Sequence, residues 1–191
     1  MLNMETINSI AAMFKVFFEA LLKQDTELVY CRAICKHLAN VHLFDLAGKR
    51  SLYQVVLEKG NQLVETQKQI GKPIQIVSAG RTAATQNTYW LRGRNDKGEV
   101  VDRSKVITDA QGLQSYHNYG LAFDVAFDGF TGTDADWETL GKNGEALGLE
   151  WGGRWADTTM GTKGDRPHFQ WTDGGRITWA KLKKYIETGT I

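Results

Sequence analysis

The sequence predicts an α+β fold, and two features of its hydrophobic pattern lead to that prediction. Through about residue 70, apolar residues recur every three or four positions, as they do on one face of a helix. After Pro73 the pattern changes to a few short apolar runs that are typical of strands, with helical segments between them. Helices mixed with a few short, non-alternating strands are typical of the α+β class.

The length and composition are those of an ordinary globular domain. The chain has 191 residues, of which 42% are hydrophobic and 24% are charged, so it can bury a core of its own. Its formal net charge of +1 argues against a nucleic-acid binder that relies on bulk positive charge, and no apolar run reaches the roughly 18 residues of a membrane span. Cys31 and Cys35 are too few for a framework of several disulfides. Glu5 stands where a secretory signal needs positive charge, so we expect no such signal.

Three helices are predicted in the first part of the chain, over 5–23, 26–39 and 51–70. In the first two of them the apolar side chains fall on one face. The third helix is expected to end at Gly71, with Pro73 just beyond it, which is a common stop signal.

The rest of the chain is predicted to contain short strands, helices and one long loop. The loop covers 93–114, is polar and contains several glycines, and its place before the first polar motif suits a lid. The strands are expected at Ile74–Val77, Leu121–Phe127 and His168–Trp171, and the helices over 82–92, 134–147 and 177–187.

The first polar motif covers Ser115–Asp124 and leads into the second strand. Because side chains alternate along a strand, one set faces a core and Asp124 faces the other way, between two alanines. The alanines leave room beside the carboxylate, and His117 precedes it by seven residues on the entering loop. His117 and Asp124 could therefore close on a metal ion. The core-facing set is Leu121, Phe123, Val125 and Phe127.

The second polar motif contains the other candidate ligand. Pro167 fixes the entry into a short strand, where His168 takes one face and Phe169 packs on the other. Asp165 precedes His168 by three residues on the loop side. Two histidines and one aspartate make the three protein ligands typical of catalytic zinc, which keeps its fourth position for water. A further carboxylate that is not itself a ligand is what a zinc hydrolase needs as a general base.

Together these motifs resemble one known family. The string S-x-H-x-x-G-x-A-x-D at 115–124, W-G-G at 151–153 and D-x-P-H-F at 165–169 are similar to those of the zinc D-Ala-D-Ala carboxypeptidases and L-alanyl-D-glutamate endopeptidases. These peptidoglycan peptidases include the VanY and VanX types and several phage endolysins. The resemblance covers roughly residues 50–187.

The resemblance implies a role for five residues. His117, Asp124 and His168 match the ligands of one zinc ion, and Asp165 matches the catalytic base. Arg81 matches a family arginine after the first strand, where a fixed cation would stabilise the oxyanion of the tetrahedral intermediate. The preceding residues read Ala-Gly rather than Gly-Tyr, and a surface arginine after a turn is the alternative.

The fold implied by the resemblance is a small antiparallel sheet with helices around a single zinc site. Residues 49–191 would form this peptidase domain, and residues 1–48 a helical N-terminal extension. Ser115 would either bond a substrate carboxylate or cap the loop. Several late tryptophans would line a substrate cleft or fill the core, and Trp151 is our candidate for substrate binding.

The function that this resemblance favours is cleavage of the L-alanyl-D-glutamate bond in peptidoglycan stem peptides. Aspartate in the base position, together with the segment Glu150–Trp155, is similar to the endolysin branch. We therefore expect a monomeric phage or prophage endolysin, made in the cytoplasm without a signal peptide and released to the cell wall by a holin. We expect it to bind no nucleic acid and not to insert stably into a membrane. The alternatives are a D-alanyl-D-alanine carboxypeptidase and a non-catalytic cell-wall-binding module.

Overall fold

The computed structural model describes residues 32–34, 52–155 and 164–188. The helix predicted over 5–23 lies outside these residues, and of the helix predicted over 26–39 only 32–34 are described, in helical conformation. The division into an extension and a peptidase domain stays a prediction. No helix in the described ranges is both long and apolar enough to cross a membrane.

The described ranges form a small sheet with helices, which confirms the α+β class. Three 3₁₀ helices cover Arg103–Lys105, Tyr116–Tyr119 and Gly152–Arg154. The main elements in chain order are α1 (Gln54–Gln69), β1 (Ile74–Ser78), α2 (Ala83–Trp90), β2 (Ala122–Phe127), α3 (Asp134–Ala146), β3 (Glu150–Trp151), β4 (His168–Gln170) and α4 (Trp179–Thr188). Each predicted strand and helix in these ranges is present, with ends that differ by at most three residues, whereas β3 was not predicted.

Within the described ranges the sheet has four strands in the order β1-β2-β4-β3, and all neighbouring strands are antiparallel. The predicted antiparallel sheet is thus confirmed. In its central pair, Phe123 lies opposite Phe169 and Asp124 lies opposite His168. Because opposite residues share a face, this register places the two phenylalanines on one face and the two polar residues on the other.

One face of the sheet carries the core. Leu121 and the three residues that alternate with it along β2 are at most 7% exposed, as the period-two pattern predicts. The rings of Phe123 and Phe169 stack with their centroids 5.8 Å apart. Helices α1 and α3 cover this face, so it is closed to solvent while the opposite face is free to hold polar groups.

Two glycines let α3 approach the sheet closely. A Cβ atom at Gly141 would overlap the ring of Trp151, and one at Gly144 would overlap the ring of Phe169. The helix begins at Thr133 with a capping box, in which the Thr133 hydroxyl and the Asp136 carboxylate each accept a backbone N–H. The side-chain hydrogen bond from Lys72 lowers the pKa of Asp136 to about 2, so the carboxylate of the capping box is charged at neutral pH.

We predict that Gly144→Ala destabilises the protein. Alanine is the better helix former by about 1 kcal/mol, but its methyl group must displace the buried Phe169 ring, and overpacking of this kind costs about 1–3 kcal/mol. We expect a net loss of about 1–2 kcal/mol in the free energy of unfolding by urea titration. Lys142→Ala, on the exposed face of the same helix, is the control and should change stability by less than about 0.5 kcal/mol. Equal stability of the two variants would contradict the close approach of α3.

Candidate metal centre

His117 is positioned by a tight turn that precedes β2. Ser115 is the N-cap of the 3₁₀ helix Tyr116–Tyr119, and its hydroxyl accepts the His117 backbone N–H at 3.4 Å. Gly120 ends that helix with a φ of 66°, a left-handed conformation that glycine adopts without strain. The ring is buried, and its Nδ1–H donates to the Ala79 carbonyl at 2.6 Å. Its Nε2 therefore presents a lone pair on the opposite side of the ring.

The turn and the sheet register bring the three predicted ligands together. Asp124 Oδ1 lies 3.3 Å from His117 Nε2 and 3.2 Å from His168 Nδ1. The two ring nitrogens are themselves 3.3 Å apart. Two ligands at zinc distances of 2.0–2.1 Å and a tetrahedral angle lie about 3.3–3.4 Å apart. The three donor atoms thus fit the ligand spacing of a zinc ion, and their types are those that zinc prefers.

The charges in the cluster favour an ionised carboxylate. Burial raises the pKa of Asp124, but the contacts of its carboxylate with the rings of His117 and His168 outweigh it and hold that pKa well below its usual value. Burial lowers the pKa of His117 below its ordinary value. Burial also acts to lower the pKa of His168, but the adjacent Asp124 carboxylate raises it above the usual value. A carboxylate beside two imidazoles is a suitable pocket for a divalent cation.

Arg81 extends from the end of β1 towards the cluster. Its guanidinium donates to Gln86 Oε1 at 2.9 Å and to Ser78 Oγ at 3.2 Å. It lies 3.7 Å from Asp124 Oδ2 and 4.7 Å from the centre of the Tyr89 ring. These contacts hold the cation beside the cluster, so it is not a free surface arginine.

Asp165 and Arg81 line the same cavity as the three candidate ligands, and its volume is about 450 Å³. Asp165 is an exposed residue at this cavity, and its backbone carbonyl accepts the His168 N–H at 3.1 Å. Desolvation by the surrounding protein raises the pKa of the Asp165 carboxyl above its usual value, although the nearby His168 opposes the shift. Asp165 therefore lies at the same cavity as the cluster, and its role as the catalytic base stays a prediction.

The loop predicted over 93–114 supplies one wall of the cavity. Ile107, Thr108 and Ala110 from this loop line it, as does Ser115. Arg94 anchors the loop, since its nearly buried guanidinium donates to the Thr108 carbonyl at 3.0 Å and to Asp109 at 2.8 Å. The segment therefore forms one wall of the cavity and is held there by these hydrogen bonds. Its role as a moving lid stays a prediction.

The structure corrects the expectation that Trp151 binds substrate. Trp151 is only 4% exposed and belongs to the core, where its indole N–H donates to the Arg166 carbonyl at 2.8 Å. The physical reason is the register of β3, which sets Trp151 opposite Phe169 on the core face. Trp155 and Trp179 line the cavity instead. The ring of Trp155 lies 5.0 Å from that of His168.

Three polar residues that hold the site, Gln86, Gln170 and Glu150, were not predicted from the sequence as site residues. Gln86 is buried and bonds Arg81, and its amide also donates to the Ala110 carbonyl at 2.8 Å. Gln170 Oε1 lies 3.0 Å from His168 Nε2, and Gln170 Nε2 donates to Glu150 at 2.8 Å. Their partners are distant in the chain, so no local signal marked Gln86, and only the two-residue spacing from His168 could have marked Gln170.

Comparison with known proteins finds a matching family model and a related peptidase. A family model described as D-alanyl-D-alanine carboxypeptidase matches residues 108–171, which include the three candidate ligands and Asp165. The peptidoglycan L-alanyl-D-glutamate endopeptidase CwlK of Bacillus subtilis is 30% identical over 126 residues, covering 59% of this chain and 72% of the relative.

Two peptidases are among the solved structures that the comparison matches. A mutant of the vancomycin resistance D,D-pentapeptidase VanY in complex with Zn(II) is 18% identical, with a TM-score of 0.48 over 73% of this chain and 80% of that chain. The Serratia marcescens L-Ala D-Glu endopeptidase ChiX is 18% identical, with a TM-score of 0.49 over 70% of this chain and 92% of that chain.

We predict that Gln86→Met destabilises the protein because it removes a buried amide whose partners remain. The side chain keeps its length, but the Arg81 guanidinium and the Ala110 carbonyl each lose a hydrogen bond. A buried group left without a partner costs about 1–3 kcal/mol, which urea unfolding should detect. The same substitution at Gln69, an exposed residue of α1, is the control, with a change of less than about 0.5 kcal/mol. Unchanged stability of Gln86→Met would refute the link between Arg81 and the cavity wall.

Proposed function

Because the chain belongs to the VanY-like family of zinc peptidases that act on peptidoglycan, we propose that it is a zinc-dependent endopeptidase for the L-alanyl-D-glutamate bond of stem peptides. The observation that supports this most is the triangle of donor atoms from His117, Asp124 and His168, which lines a cavity shared with Asp165 and Arg81. The choice of bond is supported by the similarity to CwlK, whose name states that specificity.

The three candidate ligands would hold zinc through specific atoms. His117 would bind through Nε2, Asp124 through Oδ1 and His168 through Nδ1, because these atoms face one another at 3.2–3.3 Å. When bound, zinc acts as a Lewis acid that lowers the pKa of a water molecule to about 7 and polarises the substrate carbonyl. In the described residues the cluster has three such donors, which suits a catalytic zinc site with one position for water or substrate.

Asp165 would serve as the general base and then as the general acid. Its carboxylate takes a proton from the attacking water and returns it to the leaving amine. The raised pKa of this carboxyl suits both steps, because a stronger base accepts the proton more readily while remaining able to donate it.

Arg81 and Ser115 would contact the substrate. The guanidinium of Arg81 is held by Gln86 and Ser78, so its charge can stabilise an oxyanion without reorganising. The Ser115 oxygen accepts the His117 N–H, and its hydroxyl hydrogen remains available to a substrate carboxylate in the cavity. Ser115 would thus combine the capping and binding roles that the sequence left as alternatives.

The second candidate function is D-alanyl-D-alanine carboxypeptidase activity, which the description of the matching family model favours. The two activities differ in the new ends that they produce. The non-catalytic binding module, the origin in a phage or prophage, the release by a holin and the monomeric state stay predictions from the sequence.

We predict that the purified protein cuts peptidoglycan and creates new N-terminal D-Glu ends, as identified by mass spectrometry. A chelator should abolish the cleavage, and added zinc should restore it, because the donor set fits that ion. Release of free D-Ala would instead assign the carboxypeptidase. Absence of any cleavage by the folded, zinc-loaded protein would favour the non-catalytic cell-wall-binding module.

We also predict that the metal and the proton transfer can be separated by mutation. Asp165→Asn should bind zinc like the unmodified protein while losing about 10²–10⁴-fold in kcat/KM, because the general base is removed. His117→Ala should lose both zinc and activity. Asp128→Asn, an exposed aspartate at the end of β2, is the matched control and should keep both. Normal turnover by zinc-loaded Asp165→Asn would refute Asp165 as the base.

A further inference from the structure

We propose that Gln170 and Glu150 are positioning residues that fix the tautomer of His168, so that its Nδ1 presents a lone pair to the metal. The inference rests on the proposed function, because it assumes that His168 is a metal ligand. Neither residue is among the predicted metal ligands or catalytic groups, and both lie on the sheet face that carries Asp124 and His168.

The three side chains form a continuous row across β4 and β3. His168 Nε2 lies 3.0 Å from Gln170 Oε1, on the side of the ring away from Asp124. Gln170 Nε2 donates to Glu150 Oε2 at 2.8 Å. The other carboxylate oxygen, Oε1, accepts the hydroxyl of Thr172. Both oxygens of Glu150 are thus held, and the carboxylate has a defined orientation.

The chemistry of Glu150 decides which way the row is polarised. A carboxylate only accepts hydrogen bonds, so the Gln170 group that faces it must be the NH₂. The Gln170 carbonyl oxygen must then face His168, and an oxygen acceptor requires a hydrogen on Nε2. In a neutral imidazole the other nitrogen, Nδ1, carries the lone pair, and it is the nitrogen that lies 3.2 Å from Asp124.

The tautomer of His117 is fixed by a backbone carbonyl instead. There the Nδ1–H donates to the Ala79 backbone carbonyl, which cannot reverse its polarity, and Nε2 faces the cluster. A glutamine amide can rotate and exchange its donor for its acceptor, so Gln170 by itself would not define the tautomer. Glu150 removes this ambiguity. Gln170 is only 7% exposed, so water has little access to replace either of its bonds.

The decisive experiment measures zinc affinity and the hydrogen bond of the His168 ring in Gln170→Met. Methionine keeps the length of the side chain but loses the acceptor for Nε2–H. Competition with a chelator should show zinc binding about 10–100-fold weaker than in the unmodified protein. In the zinc-loaded proteins, ¹H–¹⁵N NMR should show a His168 Nε2–H that exchanges slowly with solvent in the unmodified protein and rapidly in Gln170→Met.

Three further variants make the test specific. Gln114→Met alters another glutamine of the same cavity and should leave zinc affinity and the exchange of the His168 Nε2–H unchanged. Glu150→Gln preserves the size of the side chain but lets the Gln170 amide rotate, so it should speed this exchange. The double variant Gln170→Glu/Glu150→Gln should restore zinc affinity and slow exchange, because the carboxylate at position 170 can accept from both the imidazole and the amide at position 150.

The outcomes separate this inference from the proposed function. Failure of the unmodified protein to bind zinc would overturn the metal site itself, and the positioning role with it. Zinc binding by the unmodified protein, with the same affinity and the same slow exchange of the His168 Nε2–H in Gln170→Met, would overturn only the positioning role. If Gln170→Met does not fold, unchanged slow exchange in Glu150→Gln would overturn it equally.

Discussion

The antiparallel register between β2 and β4 is the constraint on which the rest of this structure depends. It pairs Phe123 with Phe169 on the core face and Asp124 with His168 on the opposite face. A slip of one residue in either strand would move its polar ligand into the core and its phenylalanine out of it. The stacked rings and the close approach of α3 therefore stabilise the site as well as the fold, because the same register serves both faces.

The polar face is held by hydrogen bonds that leave the donor atoms of the cluster facing one another. The ring of each histidine is bonded on its far side, by the Ala79 carbonyl and by Gln170. Arg81 is bonded by Gln86, which also bonds the loop that forms a wall of the cavity. Little reorganisation would then be needed for the proposed zinc ion and substrate to bind, which is how a rigid shell favours binding.

Much of the fold could be predicted because the second half of the chain carries strong local signals. The alternation along β2 assigned Phe123 to the core and Asp124 to the site. Gly71 and Gly148, each with a positive φ, closely follow the ends of α1 and α3. The strand β3 has only two residues, too few for a recognisable period, and it was missed. The error at Trp151 follows from this omission, because a tryptophan suits a core and a cleft equally until its strand partner is known.

The residue types and their spacing were sufficient to predict the family, the α+β class, the sheet face of Asp124 and a donor set of two histidines and one aspartate. The tertiary structure decided which nitrogen of each ring faces the cluster, how Arg81 is held and which tryptophans line the cavity. The physical reason is the range of the interactions concerned. Alternation along a strand is local, whereas the bond from His117 to Ala79 joins residues 38 positions apart and the bond from Gln170 to Glu150 joins residues 20 positions apart. Such partners are chosen only when the strands pair and the turns close.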